Sequence, residues 1–529
     1  MRRWNGWGDD TRDRPVPLPL LDVLLQSVGA GTAPCDVGLD ALVGRVPLSR
    51  WRSSGPFTLA AETRIRHARG QSFADLVAMR SGRLDVVPDA VAYPRCSADL
   101  RSVVGMAGDR QAVLIPFGGG TSVVGGVTAP SSEVPVLTVD LCNLDGLLAL
   151  DRRAGLATFG AGTCGPQVEA VLRAQGLTLG HFPQSFELST VGGWVATRSS
   201  GQQSMGFGRI EDLFAGGVVE APAGTLVLPP FPASAAGPDL RQLVLGSEGR
   251  LGIITEATVR VRPVSDVDVV HAVFLPAWET AVEATRELVR SGTALSMLRL
   301  SSPEETETNL ALARESRKAG LLQKALAVRH VDVGKCLLLV GIMGTTRQTR
   351  QQWRAAHAVV GRYGGVHVGQ ALGRTWQRGR FRQPYLRNTL WEQGYGVDTV
   401  ETATTWSRLP RLLENVERDL RNALAAVNER VHAITHLSHV YPTGSSVYTT
   451  FVFRLGGNAD ETLHRWQLCK DAASRAIVAN GGTISHQHGV GIDHRRYLPQ
   501  EKGPLGIEVL RSVARTLDPD NLMNPGKLL

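Results

Sequence analysis

The sequence predicts an α+β protein built as two bodies with a separate C-terminal segment, and three observations carry this. Short apolar runs bounded by Gly, Pro and Asp begin near residue 85 and read as buried strands, among them Ala112-Val113-Leu114-Ile115 and Val136-Leu137-Thr138-Val139. A strand over 252–261 stops before Pro263, where a domain boundary is expected. Residues 266–480 then alternate strands and helices with less glycine, until Asn480-Gly481-Gly482 ends the last helix of that body. The expected division is an irregular, partly helical segment at 1–84, a glycine-rich domain at 85–265, a cap at 266–480 and a terminal segment at 481–529.

The elements follow in order. Trp4, Trp7 and Trp51 mark an N-terminal segment packed on a larger body, because each indole buries a large apolar area. Residues 167–175 read as a helix with Val168, Val171 and Leu172 on one face and Gly176 as its stop. Residues 220–240, rich in Pro, Ala and Gly, read as a loop. Residues 337–341 read as a core strand of the cap. A helix over 411–430 places Leu412, Leu413, Val416, Leu420 and Leu424 at helical spacing. Residues 446–453 alternate, so Val447, Thr449, Phe451 and Phe453 share one face and Tyr448 points the other way. A helix follows over 463–479, then a short strand at 483–485 and a loop. A last helix near 505–517 carries Ile507, Leu510, Val513 and Leu517 on one face.

Composition narrows the function classes. Glycine stands at 58 of 529 residues, above the usual ~7%, and the excess is clustered. The net charge is +8, yet no run of five Lys or Arg occurs and no nucleic-acid-binding motif is present, so a solvated basic surface is expected rather than a nucleic-acid partner. Six cysteines without a Cys-x-x-Cys pair argue against a disulfide scaffold or a zinc ribbon and for a reducing compartment. No signal-peptide pattern, spanning apolar stretch or peroxisomal Ser-Lys-Leu ending is read, so a cytoplasmic location is expected.

Chemistry concentrates in four places. Pro116, Phe117, Gly118, Gly119, Gly120, Thr121 and Ser122 follow a buried strand directly. Three successive glycines let backbone amides approach a ligand, and two hydroxyls add donors, which suits phosphate. The spacing matches neither the Gly-x-Gly-x-x-Gly fingerprint nor the P-loop. Residues 183–201 form a second glycine-and-hydroxyl segment in which Ser189-Thr190 start a helix. Residues 245–254 form a third, and three such segments in one domain point to a long ligand with several phosphates. Near the end, His486 and His488 stand at i and i+2, where alternation puts both on one face as candidates for acid–base chemistry. Only Asp493 or His494 could add a third metal ligand nearby, and no metal is assigned.

The three glycine segments, in this order, resemble the FAD-binding domain of vanillyl-alcohol-oxidase-type flavoproteins. Trp4-Asn5-Gly6-Trp7-Gly8, residues 64–70 (RIRHARG), residues 88–94 (PDAVAYP), Tyr363-Gly364-Gly365 and Asn480-Gly481-Gly482 resemble the alkyldihydroxyacetonephosphate synthases. The match covers nearly the whole chain and is loosest over 266–440. It implies a two-subdomain FAD-binding domain of the PCMH type, an α/β cap and a C-terminal segment returning to the FAD domain. It also implies a transferase of ether-lipid synthesis without net redox turnover. Such enzymes exchange the acyl chain of 1-acyl-dihydroxyacetone phosphate for a long-chain alcohol after a base removes a proton from substrate C1.

Carried over residue by residue, the resemblance assigns noncovalent FAD to Pro116, Phe117, Gly118, Gly119, Gly120, Thr121 and Ser122. It adds Gln184, Ser185, Phe186, Glu187, Leu188, Ser189 and Thr190, then Thr197, Arg198, Ser199 and Ser200. Glu248, Gly249, Arg250, Leu251, Gly252, Ile253 and Ile254 complete the set. Tyr448 matches the catalytic tyrosine, and a phenol needs a neighbouring charge to lower its pKa before it can act as a base. His486 and His488 match the outer members of a triple-histidine loop whose middle member is Gln487 here, which cannot titrate. Arg387 and Arg299 match substrate-contacting arginines, a residue type suited to phosphate. The first glycine segment carries no histidine that could attach FAD covalently. The family resemblance implies a homodimer, and a lipid substrate leaves peripheral membrane contact open. The alternative is an FAD-dependent dehydrogenase of a 2-hydroxy acid such as lactate or glycolate, which shares the closing phrase 518–527.

Overall fold

The computed structural model describes residues 2–52, 55–312 and 324–529. Its first body opens with β1 (Phe57–Thr58), β2 (Ala90–Ala92), β3 (Val113–Phe117) and β4 (Val136–Asp140), in the order β1-β2-β4-β3. The pairs β2/β4 and β3/β4 are parallel, so both faces must be covered, and Val113-Leu114-Ile115 and β4 are buried throughout. Next come β5 (Leu147–Asp151), β6 (Leu156–Gly160), β7 (Leu177–Thr178), β8 (Phe214–Ala221), β9 (Gly224–Leu228), β10 (Ile253–Arg260) and β11 (Arg262–Pro263). All but β7 and β11 form an antiparallel sheet in the order β5-β6-β10-β8-β9. One core joins the two sheets, with Leu114, Leu137, Phe159, Val191, Trp194 and Val259 among its buried members.

The cap consists of β12 (Val267–Leu275), β13 (Met297–Ser301), β14 (Cys336–Gly344), β15 (Val366–His367), β16 (Tyr395–Thr405), β17 (His432–Leu437), β18 (Val440–Tyr441) and β19 (Gly444–Arg454). They form one eight-stranded sheet in which every pairing is antiparallel. Its back is covered by helices that include Leu409–Asn422 and Ala459–Ala479, against which Val447, Phe451 and Phe453 are buried. The front carries every second residue into a cavity: Met297 and Arg299 from β13, His432, Ile434 and His436 from β17, and Tyr448, Thr450 and Val452 from β19. The alternation read over 446–453 thus separates packing residues from cavity residues.

The chain ends tie the bodies together. Leu114 exchanges backbone bonds of 2.8 Å each with Leu522 and Asn524, so the terminal segment returns to the first body beside β3. Trp7 and Asn388 bond reciprocally at 2.9 Å, pinning the N-terminus to the cap helix Leu386–Glu392. Trp7 and Trp51 are buried, as packing residues should be.

Several local expectations change. Val171 is exposed although Val168 and Leu172 are buried, because a nine-residue helix, Gly165–Arg173, leaves it on the outer flank. The 220–240 loop begins as a hairpin, since Gly224 at φ 142° lets β9 pair back on β8. Residues 483–485 form no strand; Thr483 and His486 are instead held by single bonds to the backbone of Ala403 and Glu401. The last helix, expected near 505–517, is preceded by a short helical stretch from Leu498, and the two are separated by Gly503 at φ 69°.

Candidate active site

The first glycine segment leaves β3 and folds onto the second. A Cβ at Gly118 would sit 2.4 Å from Thr190 Oγ1, and one at Gly119 would sit 1.9 Å from the Leu188 carbonyl oxygen. Only glycine permits that approach. From the third segment, Gly249 comes against Pro116 in the same way, so all three segments meet. Among the described residues, no backbone amide from Gly118 to Ser122 finds an acceptor, and all five residues line the cavity. Arg2 closes the outer side, donating to the Gly120 carbonyl at 3.0 Å with its guanidinium 5.3 Å over the Phe117 ring. Thr190 caps the helix Val191–Thr197.

A single cavity of about 420 Å³ runs from this cradle across the front of the cap sheet. Pro116 to Ser122, Gln184, Ser185, Ser189, Thr190, Thr197, Ser199, Ser200, Glu248, Gly249, Gly252 and Ile254 line it. The other residues assigned to FAD from sequence lie outside the lining. Phe186 stacks on Phe381 at 5.0 Å, and Glu187 accepts from Tyr385 and pairs with Arg12. Leu188 presents its carbonyl to Gly119, and Arg198 bonds Leu245 and Gln242. Arg250 holds Asn521 and Met523 of the terminal segment, while Leu251 and Ile253 are buried apolar side chains.

Beyond the cradle, Tyr448 stands on β19 directly opposite Glu401 of β16 and His436 of β17. The His436 ring lies parallel to the phenol at 4.8 Å and 18°, and His488 meets it edge-on at 6.3 Å. Burial pushes the Tyr448 pKa up; the Thr399 hydrogen bond opposes this, Glu401 and Asp398 reinforce it, and Arg387 opposes it in turn. Burial wins, so the phenol keeps its proton at neutral pH. The neighbouring cation that the sequence calls for is present, but it is outweighed.

Glu401 organises the histidine loop. Its carboxylate contacts His486 Nδ1 at 3.1 Å, accepts from Gln487 Nε2 at 2.5 Å and lies 3.8 Å from His488 Nε2. Burial favours its neutral form, but the His486 bond and the surrounding imidazoles outweigh that and hold its pKa at about 2. Tyr441 Oη lies 2.7 Å from His486 Nε2. Gln487, the departure from the triple histidine, thus serves as a donor to this carboxylate. Glu401, His439 and His486 are spaced to reach one metal ion. Both nitrogens of His486 are already engaged, and His439 Nδ1 faces the hydroxyls of Ser200 and Ser204 at 3.2 and 3.0 Å. The group therefore forms a satisfied hydrogen-bond network.

The two arginines differ. Arg387 lines the cavity and donates only to the Gln71 carbonyl at 2.8 Å; its Nε and Nη2 are buried without a partner among the described residues. Arg299 also lines the cavity, but its charge is balanced by Glu305 at 2.8 Å. Glu248 of the third glycine segment accepts from the amides of Val490 and Gly491 at 2.5 and 2.6 Å, clasping the histidine loop. Burial raises its pKa to about 7 against the pull of those two bonds. Leu20, Leu24, Leu386, Leu390, Val397 and Val452 form an apolar arm of the same cavity. Glu401, His436, His439, Glu305 and Tyr441 escape a sequence reading because each lies far in sequence from the motifs it serves. Strand alternation around residues 399–403 is the one signal that could have marked Glu401.

The chain matches the family described as FAD binding domain over residues 88–228 and that described as FAD linked oxidases, C-terminal domain, over 265–528. An alkyldihydroxyacetonephosphate synthase of Dictyostelium discoideum is 31% identical, covering 88% of this chain and 77% of that protein. The chain belongs to the alkyldihydroxyacetonephosphate synthase family. The enzyme of that name from Trypanosoma brucei brucei is 29% identical over 100% of this chain and 92% of its own length. A solved alkyldihydroxyacetonephosphate synthase structure superposes with a TM-score of 0.84 at 27% identity, covering 99% of this chain and 98% of that one.

As a member of this family the protein is a flavoprotein whose cofactor is FAD. The unpartnered amides of residues 118–122 and the hydroxyls of Thr121, Ser122 and Thr190 are donors of the kind a pyrophosphate takes, so the cradle fits this cofactor. Among the described residues, no helix is long and apolar enough to cross a membrane.

Proposed function

We propose that this protein is an FAD-dependent alkyldihydroxyacetonephosphate synthase that exchanges the acyl chain of 1-acyl-dihydroxyacetone phosphate for a long-chain alcohol. The observation that carries this reading is the continuity of one cavity: glycine cradle, acid–base cluster, unpartnered guanidinium and apolar arm share a single lining. Bound FAD would supply an electron-accepting ring for the exchange. Arg387, with two free nitrogens, binds the substrate phosphate in bidentate fashion. The apolar arm takes first the acyl chain and then the alkyl chain, excluding water from both. Tyr448, held protonated, donates a hydrogen bond to an oxygen that gains charge during the reaction. Glu401 fixes His486 and His488 beside it.

FAD binding is noncovalent in this reading. His67, 4.8 Å from the Phe117 ring, has its two nitrogens occupied by Asp140 and the Thr63 carbonyl. Acid precipitation is expected to release all the flavin into the supernatant.

The decisive experiment is anaerobic incubation with acyl-dihydroxyacetone phosphate and a radiolabelled fatty alcohol. Label is expected in the ether product without an electron acceptor. Flavin bleaching by a 2-hydroxy acid with no label incorporated would replace the synthase reading with the dehydrogenase one.

A further inference from the structure

We infer that Arg14 is the seat of the fatty carboxylate that the exchange releases, an anion site separate from the phosphate site at Arg387. The inference rests on the exchange reaction proposed above and deepens it.

The reaction puts two anions in one cavity. The C1–O bond to the acyl group breaks, and its electron pair leaves with the oxygen as a fatty carboxylate. The alcohol oxygen forms the new C1–O bond, and its proton passes to water. The phosphate stays on the substrate throughout. A carboxylate at the head of an apolar arm is unfavourable unless a cation meets it there.

Among the described residues, four arginines and no lysine line the cavity: Arg14, Arg299, Arg380 and Arg387. Arg299 is neutralised by Glu305, and Arg387 takes the phosphate. Arg380 donates to Gln203 at 3.0 Å, and its guanidinium lies 4.7 Å over the Phe182 ring and 4.8 Å over the Phe381 ring. Arg14 is left. Its Nη1 is buried without a partner among the described residues. Asp13, its neighbour in the chain, pairs with Arg3 at 2.7 Å, and Glu187 pairs with Arg12. Burial lowers the Arg14 pKa, and a second cation, Arg382, acts the same way. The guanidinium is therefore a charge that the fold itself leaves without an anion.

Its position suits the head of the chain. The Arg14 carbonyl accepts from Thr389 Oγ1 at 2.8 Å, which fixes the residue against the helix Leu386–Glu392. That helix sends Leu386 and Leu390 into the apolar arm. Two residues beyond Arg14, Val16 packs against the cluster that holds Leu20, Leu24 and Leu390. The cation and the arm are thus built from the same two stretches of chain. The charged neighbours of the two arginines do not overlap: Asp398, Tyr448 and Asp75 act on Arg387, and Arg382 acts on Arg14. The two anion seats are therefore distinct. A planar guanidinium matches both oxygens of a carboxylate, whereas an uncharged alcohol gains little from it.

Isothermal titration of the FAD-loaded protein tests this with three probes: decanoate, decanol and dihydroxyacetone phosphate. Arg14→Gln is expected to weaken decanoate by about 10- to 100-fold and to leave decanol and dihydroxyacetone phosphate nearly unchanged. Arg387→Gln is expected to show the reverse, a loss confined to dihydroxyacetone phosphate. Arg14→Lys, which keeps the charge without the fork, is expected to fall between wild type and Arg14→Gln for decanoate. An unchanged decanoate Kd in Arg14→Gln overturns the inference. So do equal losses of decanoate and dihydroxyacetone phosphate, which would place Arg14 at the phosphate, and wild-type protein that binds no decanoate. Failure of the exchange reaction is a different result: labelled alcohol never enters an ether, while decanoate binding still depends on Arg14.

Discussion

Arg387 shows how much a single side chain can reveal. A buried guanidinium with two unsatisfied nitrogens costs free energy unless an anion completes it. Burial lowers its pKa; Asp398, Tyr448 and Asp75 oppose this, but none of them bonds its free nitrogens. Charge-assisted bonds contribute about 1.5–3 kcal/mol each, so Arg387→Gln is expected to weaken binding of dihydroxyacetone phosphate by about 10- to 100-fold. Isothermal titration would measure it, and an unchanged Kd would remove Arg387 from the phosphate site. Arg299 has the same residue type and a similar depth, yet Glu305 neutralises it. Sequence assigned both to substrate; only their hydrogen-bond and ion-pair partners separate them.

At the scale of elements, the histidine loop depends on a residue from the third glycine segment. Glu248 lies in the third glycine segment, adopts φ 51°, and clasps Val490 and Gly491 by their amides. Its pKa is about 7 in the fold against 4.5 for the ordinary side chain. Between those values the folded protein holds a proton that the unfolded chain has released. The group therefore contributes stability that is fully present below about pH 4.5 and lost as pH rises through about 7. Glu248→Gln removes that titration. The wild-type melting temperature, measured relative to this variant, is expected to fall across that window and level off above it. A constant difference across the window would show that the clasp carboxylate is not protonated there. The loop was legible in the sequence as a pair of histidines, but its anchor was not, because Glu248 and His486 stand 238 positions apart in the chain.

For the whole molecule, the cavity joins what the domains hold separately. The glycine cradle comes from the first body, the acid–base groups from the cap sheet, and the apolar arm from the cap together with the N-terminal helix Leu18–Val28. Leu20 and Leu24 of that helix line the arm. Each buried methylene is worth about 0.8 kcal/mol, so Leu24→Trp, by displacing two or three methylenes, is expected to lower kcat/KM for hexadecanol by about 10- to 100-fold and leave octanol nearly unchanged. Equal losses for both alcohols would show that the arm does not hold the chain.

The sequence by itself determined most of the strands, the glycine segments and the face of its strand on which Tyr448 stands. These depend on local chemistry: apolar periodicity, glycine's backbone freedom and the two-residue repeat of a strand. Tertiary structure alone decided the charge state of Tyr448, the pairing of Arg299 with Glu305 and the joining of Glu401 to the histidine loop. Burial and electrostatic partners set those properties, and the folded chain draws the partners from strands and loops far apart in sequence.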